Sequence, residues 1–169
     1  MTTTTGATTR AGTSVDGEVL SLRMWLQLMK CSKAIEAGAA AHLRRAHGQS
    51  LARFDVLSQL YRLEHEWATV GEIAGMVMAS SGNITGLIDR MEADGLIVRR
   101  ASPFDRRSQQ IRMTHRGHVL FDDMTRDHAG WIDAALIGVA DEDKSRLIEL
   151  LVGVRVAFEN NAARMSGTE

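Results

Sequence analysis

The 169-residue sequence holds one cysteine and one proline. A single cysteine cannot close an internal disulfide, which excludes a disulfide-stapled scaffold. A single proline leaves few irregular connections and implies a mostly helical chain. The opening residues, MTTTTGATTR, lack the basic start and apolar stretch of a signal peptide. The longest uncharged run, Ile73 to Ile88, is broken by Ser80, Ser81, Asn83, Thr85 and several glycines, too polar to cross lipid. These absences predict a soluble, cytoplasmic protein with no membrane partner. Enzyme signatures are missing as well. There is no Gly-x-Ser-x-Gly, no Gly-x-Gly-x-x-Gly and no phosphate loop ending in Gly-Lys. His65-Glu66 opens a zinc-protease pattern, but Thr69 stands where the second histidine belongs. No catalytic residue and no cofactor are expected.

What the chain does have is a core and an uneven charge. Apolar residues make up 44%, which rules out wholesale disorder. Net charge is -1, yet Arg99 to Arg112 holds five arginines against one acid, Asp105, a local +4 on a body carrying -5. A compact basic patch on an acidic body is the footprint of a protein that meets phosphate with one element. By composition alone, a solvated basic loop fits equally well.

Residues 1–16, with seven threonines in the first thirteen positions, read as a disordered tail. From about Glu18 to His47 the spacing of Leu22, Trp25, Leu26 and Met29 predicts one long helix, ended by Gly48. Leu20, Met24 and Leu28 fall on another face, so that helix packs against more than one neighbour. A second helix, Leu51 to Glu64, is striped by Phe54, Leu57, Leu60 and Tyr61. Thr69-Val-Gly-Glu72 is a capping box opening a short third helix with Val70, Ile73, Ala74, Val77 and Met78 on its face. A fourth carries Ile84, Leu87, Ile88 and Met91 and stops at Asp94-Gly95. Two short amphipathic helices so close together read as a helix-turn-helix.

Leu96–Val98 and Gln109–Met113 then read as strands, joined by the loop Ala101–Arg107. Thr114 caps a long helix with Phe121, Met124, His128, Trp131, Ile132 and Ala135, and Asp141 caps a last one with Leu147, Leu150, Leu151, Val154 and Phe158. The expected fold is mainly α. A winged helix-turn-helix lobe with a two-stranded wing, residues 50–114, is flanked by a helix over 17–49 and helices over 115–166. The flanking helices carry more apolar surface than the lobe can cover, which predicts burial against a second copy in a homodimer. A two-fold protein would in turn meet a pseudo-palindromic site.

Ser81-Gly-Asn-Ile-Thr-Gly-Leu-Ile-Asp-Arg90, Met91-Glu-Ala-Asp-Gly-Leu96, Asp105-Arg-Arg107 and Met113-Thr-His-Arg-Gly117 resemble the multiple-antibiotic-resistance regulator (MarR) family from about Leu51 to Phe121. Met113 stands where that family usually has leucine. The resemblance implies a ligand-responsive DNA-binding regulator, with the fourth helix in the major groove and a wing arginine in the minor groove. By position that arginine is Arg107, with Asp105 orienting it. The family also implies a small, often aromatic, effector bound between the dimerisation helices and the lobe. The Gly82–Arg90 string and His128-Ala-Gly-Trp131-Ile are similar to repressors of hydroxycinnamate catabolism, which respond to aromatic acyl-CoA thioesters. The urate-sensing branch is matched at Asp55, but Leu87 stands where it needs an arginine.

The candidate contacts follow. Ser81, Asn83, Thr85 and Arg90 are the exposed positions of the fourth helix, and no charge occurs from Ile73 to Ile88, so the reading tip is neutral. Asn83 can pair with an adenine edge or serve as a helix cap. Arg107 suits a narrow minor groove, while Arg99, Arg100, Arg106 and Arg112 suit phosphates. Trp25, Met29, Phe54, Tyr61 and Trp131 can line an effector pocket or simply fill the core. Arg23, Lys30, Lys33, Arg44 and Arg45 are the cations available for CoA phosphates. Cys31 is expected to be buried and inert, the alternative being a peroxide-sensing thiol. His42, His47, His115 and His118 have no Cys or acidic partner near them in sequence, so they are expected to be solvated or capping and not metal ligands. The competing class is a winged-helix protein-interaction adaptor that does not read DNA.

Overall fold

The computed structural model describes residues 15–63, 67–78, 84–103, 105 and 108–166. Helix α1 (Val15–His47) is 33 residues long. It ends at Gly48, whose φ of 64° places it in the left-handed region and turns the chain so that the Gln49 amide folds back on the Leu43 carbonyl at 3.3 Å. Ser50 then accepts from the amide of Arg53 and starts α2 (Leu51–Arg62). A two-residue strand, β1 (Ala68–Thr69), leads into α3 (Val70–Met76). The capping box forms as the sequence dictates: the Glu72 amide donates to the Thr69 hydroxyl at 3.1 Å, and the Thr69 amide donates to the Glu72 carboxylate at 2.7 Å. Those bonds, from the Thr69 backbone first and its hydroxyl second, hold the Glu72 carboxyl below its ordinary value.

Helix α3 stops at Met76, so Val77 and Met78 lie beyond it and not on its face; Val77 is already extended. Helix α4 (Ile84–Ala93) ends at Gly95, again with positive φ. Strands β2 (Ile97–Ala101) and β3 (Gln109–Met113) pair antiparallel, Ile97 with Met113 through Ala101 with Gln109. The wing expected to have two strands belongs to a three-stranded sheet ordered β1-β3-β2, because Ala68 and Thr69 pair with Ile111 and Gln110. Two residues carry no alternation, so nothing in the sequence marks them as a strand.

Helix α5 (His115–Ala135) starts where Thr114 folds back on the end of α4. The Thr114 hydroxyl donates to the Gly95 carbonyl at 2.7 Å and accepts from the Gly117 amide at 3.0 Å. Gly117 is required for closeness and not for conformation: a Cβ there would stand 2.2 Å from the Leu96 carbonyl oxygen. The core sits between these elements. Val56, Leu57 and Leu60 of α2 meet Ile73, Leu87, Ile88, Met91, Ile97 and Ile111, with Leu43 from α1 and Phe121 and Met124 from α5.

The chain divides after His128 into two compact units. The second holds the end of α5 and α6 (Asp141–Ser166). Asp141 lies inside the first turn of α6, where it holds Lys144 at 2.9 Å, and Ala140 precedes it; the expected Asp141 cap is corrected accordingly. Leu147, Ile148, Leu150, Leu151, Val152, Val156 and Phe158 of α6 are exposed. Among the described residues no helix is long and apolar enough to cross a membrane.

Candidate nucleic-acid interface

Helix α4 turns Leu87, Ile88 and Met91 into the core and leaves Thr85, Asp89 and Arg90 in solvent. Two ties to α2 hold the chain before and after it. Asp55, buried on α2, accepts from the Gln59 side chain at 3.2 Å and from the Met78 amide at 2.6 Å, which pins the chain where it leaves α3. A buried carboxylate fed by N–H donors is held firmly, since losing one would strand a charge. At the other end of α4, the Arg53 guanidinium pairs with Asp94.

The wing is fastened to the same helix. Alternation along β2 sends Ile97 and Arg99 to the inner side of the sheet and Val98 and Arg100 to the outer side. Arg99 thereby reaches α4, pairing with Asp89 and standing 3.2 Å from the Glu92 carboxylate, and donates to Gln109 at 3.1 Å. Arg99, expected on a phosphate, instead commits its guanidinium to two carboxylates. Asp105 is exposed in the wing loop, which is closed by Ser102 and Ser108 amides donating to the Ser108 and Asp105 carbonyls, each at 2.9 Å. Of the other expected DNA contacts, Thr85 and Arg90 are exposed, whereas Ser81, Asn83, Arg106 and Arg107 lie outside the described residues.

The effector candidates are only partly gathered. Phe54 and Tyr61, both on α2, stack on Phe121 of α5 with centroids 5.6 and 5.0 Å away. Trp25 and Met29 are exposed on α1, and Arg44 and Arg45 are exposed in its last turn. Trp131 belongs to the second unit. Cys31 is exposed, against the expectation of burial, because residues 18–37 of α1 are exposed throughout apart from a half-buried Leu28.

Two histidines also depart from their expected solvated role. His42 and His47, on α1, both reach the same oxygen of Asp127 on α5, at 2.7 and 2.9 Å. Their acidic partner is 80 residues or more away in sequence, beyond any local reading. The hydrogen bond from His47, followed by that from His42, holds the Asp127 carboxyl below its ordinary value. Burial lowers His128 beside them, and His42 adds to that. Among the described residues no group of three or more His, Cys, Asp or Glu is placed to hold a metal ion.

Known proteins match this arrangement. The MarR family model matches residues 50–109. The HTH-type transcriptional regulator MhqR of Bacillus subtilis is 30% identical over 131 residues, covering 78% of this chain and 88% of that protein. The crystal structure of a MarR family transcriptional regulator from Silicibacter pomeroyi is similar with a TM-score of 0.75 and 25% identity, over 86% of this chain and 99% of that one. The organohalide-sensing regulator RdhR-CbdbA1625, in its 2,4-dichlorophenol-bound form, has a TM-score of 0.70 at 17% identity, over 90% of this chain and 89% of that one. With a helix-turn-helix braced on α2, a wing braced on α4 and a regulator matched along most of its length, the chain belongs to the MarR family of winged helix-turn-helix DNA-binding transcriptional regulators.

Proposed function

We propose that this protein is a homodimeric repressor that occupies a pseudo-palindromic double-stranded operator and leaves it when a small aromatic ligand binds. The observation that carries the reading is the bracing of α4. Arg53 of α2 pairs with Asp94 at its C-terminal end, Asp55 of α2 pins the chain at Met78 where it leaves α3, Arg99 ties the wing to it, and its other face is open to solvent. A helix so held can dock in a major groove without paying to order itself. Thr85 and Arg90 are its groove-facing candidates, and Ser81 and Asn83, just before it in sequence, are further candidates for base contact. Arg107, with Arg106 and Asp105 beside it, is the wing-tip candidate for the minor groove.

The flanking segments, 17–49 and 115–166, serve as the dimerisation helices in this reading. The exposure of Leu22, Trp25, Leu26 and Met29 on α1, and separately of Leu147, Leu150 and Leu151 on α6, supports it, since such stripes ask for a covering surface. A structural neighbour solved in its 2,4-dichlorophenol-bound form is in keeping with an aromatic effector. The Phe54–Tyr61–Phe121 ring cluster offers rings for it, and Trp25 and Met29 are further candidates within the same unit. A CoA thioester of an aromatic acid would add phosphates for Arg44 and Arg45. The protein works where its operator is, in the cytoplasm.

The deciding experiment pairs two variants. Arg107→Ala is expected to weaken operator binding and to lower the slope of log K against log salt by about one unit. Asn83→Ala is expected to relax preference at one base position by about 1–3 kcal/mol with the slope unchanged. If Arg107→Ala changes neither affinity nor slope, the wing assignment is wrong. Calorimetry of hydroxycinnamoyl-CoA esters and their free acids, with and without operator, tests the effector class; ligand binding indifferent to operator would overturn it.

A further inference from the structure

The outer face of the wing sheet carries an arrangement that Arg99 does not share. Val98, Arg100, Gln110 and Arg112 alternate onto that face, and Trp67, half-buried just before β1, lies beside them. The Arg100 guanidinium carbon stands 4.1 Å from the centre of the Trp67 ring and that of Arg112 stands 4.9 Å from it. Both are within cation–π reach, about 6 Å. The Arg100 Nε also donates to the Gln110 side chain at 2.9 Å, and Gln110 is itself buried. Arg53, Arg99, Arg126 and Arg155 each have a carboxylate partner, whereas no described carboxylate lies within ion-pair distance of Arg100 or Arg112.

We propose that Trp67 holds Arg100 and Arg112 as a second phosphate site on the wing, which takes the DNA phosphodiester backbone next to the stretch met by the wing loop. The inference rests on the DNA-reading function proposed above. A guanidinium stacked on a ring keeps its in-plane N–H donors directed outward, the geometry that phosphate oxygens accept. Two cations drawn to one aromatic ring repel each other, and with no carboxylate among the described residues paired to either, an anion from outside relieves that repulsion. Position selects DNA as the source of the anion. Ala101 and Gln109 close the ladder at the loop, and Arg100 pairs with Gln110 one rung behind. That rung is only about 3.4 Å from the loop end, so a backbone meeting the loop passes within an arginine's reach. Trp67 is then a positioning residue: it touches no phosphate, but it orders two flexible side chains before DNA arrives.

The test uses the full chain and a fixed random-sequence duplex, with Kd measured as a function of NaCl concentration. The double variant R100Q/R112Q is expected to lower the slope of log K against log salt by about 1.8, equivalent to about thirtyfold weaker binding near 0.15 M salt from counterion release alone. The double variant R100K/R112K keeps both charges and should retain the slope while binding severalfold more weakly, because an ammonium loses the stacked planar fork. Trp67→Leu should resemble it, about fivefold weaker with the slope unchanged, and Trp67→Phe should recover most of that loss. Thermal unfolding of each variant shows that the lobe remains folded. If wild type binds the duplex and R100Q/R112Q matches it in affinity and slope, the second phosphate site does not exist, while the DNA-reading function stands. If R100Q/R112Q loses slope but Trp67→Leu and R100K/R112K bind as wild type does, the arginines act without Trp67 and the proposal fails as stated. If wild type binds no duplex at any salt concentration, the DNA-reading function fails and the inference falls with it.

Discussion

The reading lobe and the first helix spend their apolar residues in opposite ways. From α2 to the start of α5, Leu57, Ile73, Ile88, Met91, Ile97 and Ile111 are each 1% exposed or less. Along α1, Leu20 is 65% exposed, Leu22 55% and Trp25 53%, and only near its C-terminal end does a side chain, Leu43, vanish into the core. Both segments have helical periodicity, and periodicity alone does not say where the covering surface comes from. The lobe finishes its core within one chain. Most of α1 leaves its own unfinished, and α6, within the second unit, does the same. The difference separates a lobe that covers its own core from helices whose apolar stripes stay exposed in the single chain.

Breaking the joining part should have the largest effect. Leu22→Asp with Trp25→Asp puts two charges on the exposed stripe of α1, and a two-fold interface carries every substitution twice. Loss of about 1.5–3 kcal/mol for each large apolar side chain is expected to raise the dimer dissociation constant by more than about a hundredfold. Analytical ultracentrifugation at micromolar concentration should show a monomer with the helical circular dichroism of the lobe retained. A dimer of unchanged strength would remove α1 from the interface.

The reading part should fail differently. Gly117→Ala sets a methyl against the Leu96 carbonyl and the Met113 side chain where α5 leaves the wing. Overpacking of this kind typically costs about 1–3 kcal/mol, so thermal unfolding should move down by several degrees. A wild-type melting temperature would mean that the start of α5 can shift away from Leu96 without loss.

What the sequence makes legible follows how far apart the interacting residues are. The Thr69–Glu72 capping box, the Gly48 and Gly95 stops and the inward face of α4 all rest on residues within one or two helical turns, and each formed as expected. Strand β1 is not legible there, because its identity lies in the pairing of Ala68 with Ile111, and the placement of Trp67 beside the wing depends on that same pairing. The contrast between Arg99 and Arg100 was available in principle, since alternation must send neighbours to opposite faces. Knowing which face meets Asp89 and Glu92 requires α4 in place. The His42–Asp127 and His47–Asp127 contacts were out of reach, as was Asp55 holding an amide 23 residues away.

The smallest expected effect is on pH dependence at the α1–α5 junction. His128 packs against Phe54, and burial favours its neutral ring, with His42 pushing in the same direction and Asp127 against it. The unfolded chain therefore binds more protons than the folded one below a free histidine's value of about 6.5. Stability from this group is complete above that pH and is lost as pH falls through it toward the lower folded value. Asp127, also lowered, loses its contribution only in more acidic solution, below the ordinary carboxylate value. Urea unfolding between pH 7.5 and 5.5 should show stability declining toward pH 5.5, with a shallower decline in His128→Phe. Identical slopes in the two proteins would mean that His128 is not the group responsible.

The central claim is that two joined chains present two braced reading helices to one DNA site. The most direct measurement is the stoichiometry of the complex with a duplex selected by this protein from a random-sequence library, by native mass spectrometry or sedimentation. The account predicts two chains per duplex, a selected site with two-fold symmetry and half-sites about 34 Å apart, one helical turn. One chain on an asymmetric site, or a library that yields no enriched sequence, would contradict it.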